Sequence, residues 1–160
     1  SWFETKDSYE KGVELTKQAS EEFLKTIDCY VMGSHTYELA LELSKDYGWV
    51  YGDMPTIVVS SRNLPIERAN VELFSGDLNM LVSEKLKPNY KNVWMVGGAM
   101  LAKEFINLNL ADEIRFTVLP IILGGGKPFF DKIGQEKALH LKNVTAYKSG
   151  LVELHYEIKS

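Results

Sequence analysis

The sequence contains one cysteine, Cys29, and no run of apolar residues long enough to cross a bilayer. A single cysteine excludes an internal disulfide, and its position in the apolar stretch CYVMG predicts a buried thiol in a reducing compartment. A membrane-spanning helix needs about 20 predominantly apolar residues in a row, which no stretch of this sequence supplies. The chain also opens without a signal-peptide pattern. We therefore expect a cytoplasmic protein with no membrane partner.

Basic clusters and the common catalytic motifs are missing as well. The formal net charge is -4 and the isoelectric point about 5.4, which gives no reason to expect nucleic acid as a partner. There is no G-x-S-x-G elbow and no phosphate-binding P-loop motif. His35, His140 and His155 lack the spacing of metal ligands, so no metal is expected. Glu38 and Glu42 lie among lysines on a predicted helix, which favours a solvated face over an acid/base pair.

Short apolar runs alternate with helical patterns along the 160 residues. The patterns predict helices over 8–28, 34–45, 77–87 and 98–108, and strands over 29–33, 56–62, 71–76, 93–96 and 112–124. Ser34 and Asp77 are predicted helix N-caps. Two further alternating strands are joined around Ser149-Gly150. This order predicts an α/β fold with a mostly parallel central sheet, helices on both faces and an antiparallel C-terminal hairpin at one edge.

Three predicted strands end in residues suited to an anion. The first motif, VMGSHTYE (31–38), has Gly33 before a helix whose opening N–H groups belong to Ser34, His35 and Thr36. The N-terminus of a helix offers backbone donors that suit a phosphate. The alternative is a capped helix that binds nothing.

The other two motifs follow the strands over 56–62 and 93–96. Ser60, Ser61 and Arg62 could hold a ribose phosphate, because a guanidinium binds phosphate through two hydrogen bonds; the alternative is a polar turn. Gly97 and Gly98 leave room for a diphosphate against the backbone, although a tight turn is equally compatible and the spacing is not G-x-G-x-x-G. Since ligands of open α/β sheets bind beyond the carboxyl ends of the strands, the three motifs together favour a dinucleotide.

Taken in order, the motifs VMGSHTYE, TIVVSSR, VWMVGGAMLAKEFI and LADEIRFTVLPIILGGGKPFF resemble the dihydrofolate reductase superfamily. They are most similar to the branch that includes the reductase domain of bacterial riboflavin biosynthesis. The resemblance covers nearly the whole chain from about residue 20 onward. It implies a three-layer dihydrofolate-reductase-like fold in a single domain over residues 1–160. It also implies an NADPH-dependent reductase, and it leaves NADH open as cofactor.

The resemblance assigns roles to particular residues. The cofactor would be bound by Gly33, Ser34, His35, Thr36, Ser60, Ser61, Arg62, Val96, Gly97, Gly98, Ala99, Met100 and Leu101. The substrate side would be formed by Phe23, Ile27, Thr117, Pro120, Leu123, Gly124 and Gly125. The catalytic proton donor stays unassigned.

The sequence departs from the family pattern at two places. Ser34 stands where the family often has arginine, so recognition of a 2′-phosphate depends more on Arg62. The family's first strand precedes the start SWFE, so we expect that strand to be missing from the chain as given. No carboxylate of the first helix can be placed beside a pterin, which argues against true dihydrofolate reduction.

The sequence thus predicts an NADPH-dependent reductase of a small heteroaromatic substrate, pterin- or pyrimidine-like, or of a carbonyl compound. The alternative is a nucleotide-binding member of the family without turnover, and a third reading is a structural or dimeric relative with an empty cleft. A homodimer is expected through the C-terminal strands that carry Tyr147 and Tyr156.

Overall fold

The computed structural model describes residues 8–159. Residues 1–7, with the start SWFE, and residue 160 lie outside the described residues, and the single domain over 1–160 stays a prediction. The described chain forms two compact units. The parallel-sheet unit comprises Phe23–Leu110 and Phe129–Ile133. The antiparallel-sheet unit comprises Ala111–Pro128 together with residues 8–22 and 134–159.

The parallel-sheet unit is built on four strands, β1 (Cys29–Gly33), β2 (Thr56–Val59), β3 (Val71–Phe74) and β4 (Val93–Gly97). Their order across the sheet is β3-β2-β1-β4, and every neighbouring pair is parallel. β1 lies inside the sheet, and its residues Cys29, Val31 and Met32 are completely buried. A strand flanked by strands on both sides and covered on both faces reads as a continuous apolar run, which is why CYVMG shows no alternation.

Two helical segments connect these strands, and a third follows the last of them. The segment between β1 and β2 is α2 (Ser34–Tyr47). The segment between β3 and β4 is a run made of α3 (Leu78–Met80), a π-helical stretch (Leu81–Leu86) and α4 (Lys87–Asn89), and β4 is followed by α5 (Ala99–Asn107). The predicted N-cap Asp77 is confirmed, because its carboxylate accepts from the N–H groups of Asn79 and Met80 at 2.7 and 3.2 Å. The predicted N-cap Ser34 is wrong. Gly33 occupies that position with extended backbone, and Ser34 is the first helical residue.

The core of this unit lies where α2 packs on the sheet. Its buried side chains are Tyr30, Met32, Tyr37, Val58, Leu64 and Val71. The aromatic loop that precedes β2 packs against them, since Trp49 contacts the Tyr37 ring edge-on and Tyr51 contacts the Tyr30 ring edge-on. These edge-to-face contacts hold the loop in place in addition to the burial of its apolar surface.

The antiparallel-sheet unit contains β5 (Glu113–Val118), β6 (Leu139–Ala146) and β7 (Val152–Ile158), in the order β5-β7-β6. The predicted α/β fold class, with a parallel sheet and an antiparallel C-terminal hairpin, is confirmed. One detail differs from the prediction. The hairpin was expected at an edge of the parallel sheet, but β7 pairs with β5 along its whole length in a three-stranded sheet. The strand predicted over 112–124 accordingly ends at Val118, where this pairing ends.

The first helix, α1 (Lys17–Lys25), is much shorter than the predicted 8–28. Thr16 begins it as an N-cap, with its hydroxyl accepting from the Ala19 N–H at 3.1 Å. Before that point the chain runs beside the C-terminal hairpin, where Val13 N–H donates to the Ala146 carbonyl at 2.9 Å. Gly12 permits this approach, because a Cβ atom there would lie 2.6 Å from the Lys148 nitrogen. The non-local pairing overrides the helical pattern.

Candidate functional site

The three predicted strand-end motifs lie at one edge of the parallel sheet. β1 is flanked by β2 and β4, so Gly33 is paired with Val59 of β2 and Met32 with Gly97 of β4. Because all of these strands are parallel, their carboxyl ends point the same way. The structure therefore brings together the segments that contain the cofactor residues predicted from the sequence.

Two glycine turns approach each other closely at this edge. A Cβ atom at Gly33 would lie 3.7 Å from the Gly97 carbonyl oxygen and 3.8 Å from the Gly98 nitrogen. Cβ atoms at Gly97 and Gly98 would lie 3.6 and 3.7 Å from the Thr36 hydroxyl oxygen. The Gly97-Gly98 peptide bond is cis, and Gly97 has φ +150°. The first turn of α2 and the turn before α5 therefore lie close together, with no side chains at these three glycines.

Two helices of nine residues or more begin at these glycines. Gly33 is the N-cap of α2 and Gly98 the N-cap of α5, and neither helix has a side-chain hydrogen bond at its cap. The opening N–H groups of a helix have no acceptor within the helix, and the dipole places partial positive charge there. In α5 the Leu101 side chain is buried and only its backbone can face a ligand, whereas Met100 is exposed. Val96 packs against the core.

The third motif forms a fixed turn after β2. Ser60 N–H donates to the Phe74 carbonyl at 3.0 Å, and the Ser60 hydroxyl accepts from the Arg62 N–H at 3.0 Å. Ser61 is exposed. The Arg62 guanidinium donates to the carboxylate of Glu38, on α2. The solvated face predicted for Glu38 is confirmed, because its side chain is exposed. Its pairing with Arg62 was not visible in the local pattern, since the two residues are 24 positions apart.

Two of the predicted substrate residues lie in the parallel-sheet unit. The Phe23 ring stands edge-on to Trp94 at a centroid distance of 5.8 Å. Ile27 packs against the buried core. Both side chains therefore contribute to packing within this unit, and a substrate role for them stays a prediction.

The other five predicted substrate residues belong to the antiparallel-sheet unit. Thr117 is exposed on β5 and paired with Glu153 of β7. Pro120 lies beside the hairpin turn, since a Cβ atom at Gly150 would contact its ring at 3.3 Å. Leu123 is 71% exposed. Cβ atoms at Gly124 and Gly125 would meet no other atom within 4 Å, so this loop is open.

The titratable groups of the described chain do not supply an obvious nucleophile or metal centre. Burial raises the pKa of the Cys29 thiol to about 12, and the negative charges of Asp28 and Glu72 add to the effect. A thiol with so high a pKa is not a nucleophile at neutral pH. Among residues 8–159, no cluster of three or more histidine, cysteine or acidic side chains could hold a metal ion. The same residues include no helix long and apolar enough to span a bilayer.

Fold and site together define an α/β protein of the dihydrofolate-reductase-like class with a candidate anion site at one sheet edge. The sequence profile of the RibD C-terminal domain matches residues 13–153, so the chain belongs to the RibD C-terminal domain family. This confirms the resemblance to the reductase branch of riboflavin biosynthesis.

Three relatives illustrate the likeness. The crystal structure of a protein assigned to riboflavin biosynthesis in Shewanella sp. PV-4 superimposes on this chain with a TM-score of 0.78 at 23% identity. The superposition covers 99% of this chain and 87% of the Shewanella chain. The uncharacterized protein YyaP of Bacillus subtilis (strain 168) is 40% identical over 88 residues, or 54% of this chain. That match spans about half of YyaP, 47% of its length.

The third relative is the 2,5-diamino-6-ribosylamino-4(3H)-pyrimidinone 5′-phosphate reductase of Aquifex aeolicus (strain VF5). It is 31% identical over 84 residues, which is 46% of this chain and 38% of that protein.

Proposed function

We propose that this protein is an NADPH-dependent reductase of a small heteroaromatic compound, with a pyrimidine-like substrate favoured over a pterin or a simple carbonyl. Membership of the RibD C-terminal domain family supports an oxidoreductase. The relative from Aquifex aeolicus, a reductase of an aminopyrimidinone ribosyl phosphate, supports the pyrimidine-like substrate.

The observation that carries the proposal is the approach of the Gly33 turn to the Gly97-Gly98 turn. A methyl group at Gly33 would lie 3.7 and 3.8 Å from the Gly97 carbonyl oxygen and the Gly98 nitrogen, and methyl groups at Gly97 and Gly98 would lie 3.6 and 3.7 Å from the Thr36 hydroxyl oxygen. Glycine keeps the backbone there open to a ligand, and the openings of α2 and α5 direct backbone donors toward the same place. A diphosphate needs both features, so the residues present fit the cofactor.

The diphosphate and the adenosine ribose each have residues that would hold them. The backbone N–H groups of Ser34, His35 and Thr36, with those of Ala99 and Met100, would bind the diphosphate. Arg62 and Ser61 would contact the adenosine ribose and its 2′-phosphate, because a guanidinium matches phosphate oxygens. When bound, the reduced nicotinamide supplies the hydride. The chain's own contribution is to hold the reactants in a reactive orientation.

Thermal denaturation with and without nucleotide tests the binding step. NADPH at about 100 times its dissociation constant should stabilise the protein by about 2.7 kcal/mol. Nicotinamide mononucleotide, which lacks the adenosine half, is the control ligand and should stabilise less at the same concentration. No shift with either NADPH or NADH would contradict the proposal.

Turnover is tested by following NADPH absorbance with aminopyrimidinone ribosyl phosphates, pterins and simple carbonyl compounds. We expect consumption with the aminopyrimidinones first. A stabilising shift without consumption of NADPH by any substrate would instead support the nucleotide-binding protein without turnover.

A further inference from the structure

An ion pair stands at the adenosine end of the candidate cofactor site. The Arg62 guanidinium, in the turn after β2, donates to the carboxylate of Glu38, which lies one helical turn beyond Ser34 on α2. The pair therefore joins two of the three strand-end motifs. It also places a carboxylate against the cation that the 2′-phosphate of NADPH would use.

The backbone around Arg62 is fixed, so the pair is part of the folded unit. Ser60 anchors the turn to β3 through its N–H and closes it on the Arg62 N–H through its hydroxyl. A few residues on, the Tyr37 hydroxyl donates to the Pro65 carbonyl at 2.6 Å, and Leu64 is buried in the core. Because Tyr37 precedes Glu38 on α2, these contacts hold the Arg62 segment against the helix that carries Glu38.

We infer that Glu38 is a specificity-determining residue that limits the preference of this site for a 2′-phosphorylated cofactor. The inference rests on the proposed function. An incoming 2′-phosphate must share Arg62 with the carboxylate and lies near a like charge, which disfavours it. Glu38 favours the 2′-hydroxyl of NADH, since a carboxylate accepts a hydrogen bond from a ribose hydroxyl.

The size of the effect follows from exposure. The Arg62 and Glu38 side chains are 52% and 45% exposed, so water screens their charges. Removal of the Glu38 charge should therefore change the ratio of the NADPH and NADH affinities by about 5-fold rather than by orders of magnitude. Ser34 is uncharged, so the preference between NADPH and NADH depends on Glu38 and Arg62.

The test measures dissociation constants of NADPH and NADH for the wild type, Glu38→Gln and the control Glu42→Gln. Glu42 lies one turn further along α2, is exposed, and loses the same charge when it is changed. The pair 2′,5′-ADP and 5′-AMP serves as a second probe, because these ligands differ only in the 2′-phosphate. Circular dichroism melting confirms that each variant is folded.

We expect Glu38→Gln to tighten NADPH relative to NADH, and 2′,5′-ADP relative to 5′-AMP, by about 5-fold. The control Glu42→Gln should stay within about 2-fold of the wild type. Arg62→Ala should weaken NADPH more than NADH, and this loss should be larger when Glu38 is already glutamine.

Two results would overturn the inference while leaving the proposed function intact. One is a ratio of NADPH to NADH affinity in Glu38→Gln that equals the wild-type ratio. The other is weaker NADPH binding, which would mean that the carboxylate holds Arg62 in its phosphate-binding position. If no variant binds either cofactor or either fragment, the proposed function and this inference fail together.

Discussion

At the scale of single residues, the candidate site contains glycines, which have no side chain. Gly33 has ordinary extended backbone, with φ −83° and ψ 172°, so its conformation does not require glycine. Its surroundings do not require glycine either, since a Cβ atom would make an ordinary contact of 3.7 Å with the Gly97 carbonyl oxygen. Under the proposed function, glycine at this position leaves room for the cofactor diphosphate. Stability and binding should therefore respond differently to a change at this position.

Gly33→Ala should change the free energy of unfolding by less than about 1 kcal/mol, because neither strain nor a clash follows. It should weaken NADPH binding by about tenfold, since the added methyl group takes up room that the cofactor diphosphate would use. Urea denaturation measures the first effect and fluorescence titration the second. Gly126→Ala, in the exposed loop of the other unit, is the control and should leave NADPH affinity unchanged. Wild-type affinity in Gly33→Ala would mean that the diphosphate does not approach this residue.

At the scale of elements, charge pairs connect the strands of the antiparallel sheet. Glu113 of β5 accepts a hydrogen bond from Lys142 of β6, and its carboxylate also lies 3.1 Å from the His155 ring nitrogen Nε2 on β7. The hydrogen bond from Lys142 is the main cause that lowers the pKa of Glu113 below its ordinary value of 4.5, and His155 lowers it further. Partial burial opposes these effects but does not outweigh them.

This lowered pKa predicts a pH-dependent contribution to stability. The charged form of Glu113 is favoured in the folded state, so its contribution is complete above the ordinary pKa and is lost as the pH falls through the lowered one. Glu113→Gln should reduce stability by about 1 kcal/mol or less at neutral pH, because the Glu113 and Lys142 side chains are 45% and 39% exposed and water screens their charges. The difference from the wild type should vanish in acid.

Urea denaturation over a series of pH values measures this difference. Glu136→Gln, in the exposed loop before β6, is the control and should show no such pH dependence. A difference between Glu113→Gln and the wild type that stays constant into acid would contradict the assignment.

At the scale of the whole molecule, the single cysteine reports on folding. Cys29 stands on the inner strand β1 and is completely buried, and its pKa is raised from 9.0 to about 12. Each pKa unit lowers the thiolate fraction tenfold at neutral pH, so the folded protein has about a thousandfold less thiolate than a free cysteine. Reaction with a thiol reagent therefore requires opening of the parallel-sheet unit.

We expect a disulfide reagent to label Cys29 only at the rate of unfolding or local opening, and rapidly in urea. NADPH should slow the labelling further, because a ligand of the folded state lowers the population of open forms. Because the sequence has one cysteine, the signal has one source. Fast labelling of the native protein at neutral pH would contradict the buried, protonated thiol. The homodimer, the cytoplasmic location and the single domain stay predictions.

Much of the parallel-sheet unit could be predicted from the sequence. Its strands are short apolar runs bounded by glycine or polar residues, so the positions of β1 to β4 and of the helices between them follow from local pattern. The Asp77 cap followed for the same reason, since a cap is a contact over two or three residues. The placement of three motifs at one edge followed from parallel strand order.

What the sequence by itself determined is therefore local: which segments are buried, where they turn, and which family motifs they carry. Tertiary structure alone decided the pairing of Val13 with Tyr147 in place of a longer first helix, the separate three-stranded sheet, and the Glu38–Arg62 pair. These features join residues far apart in the chain. Periodicity reports only the burial of each residue, whereas such contacts depend on how whole elements pack.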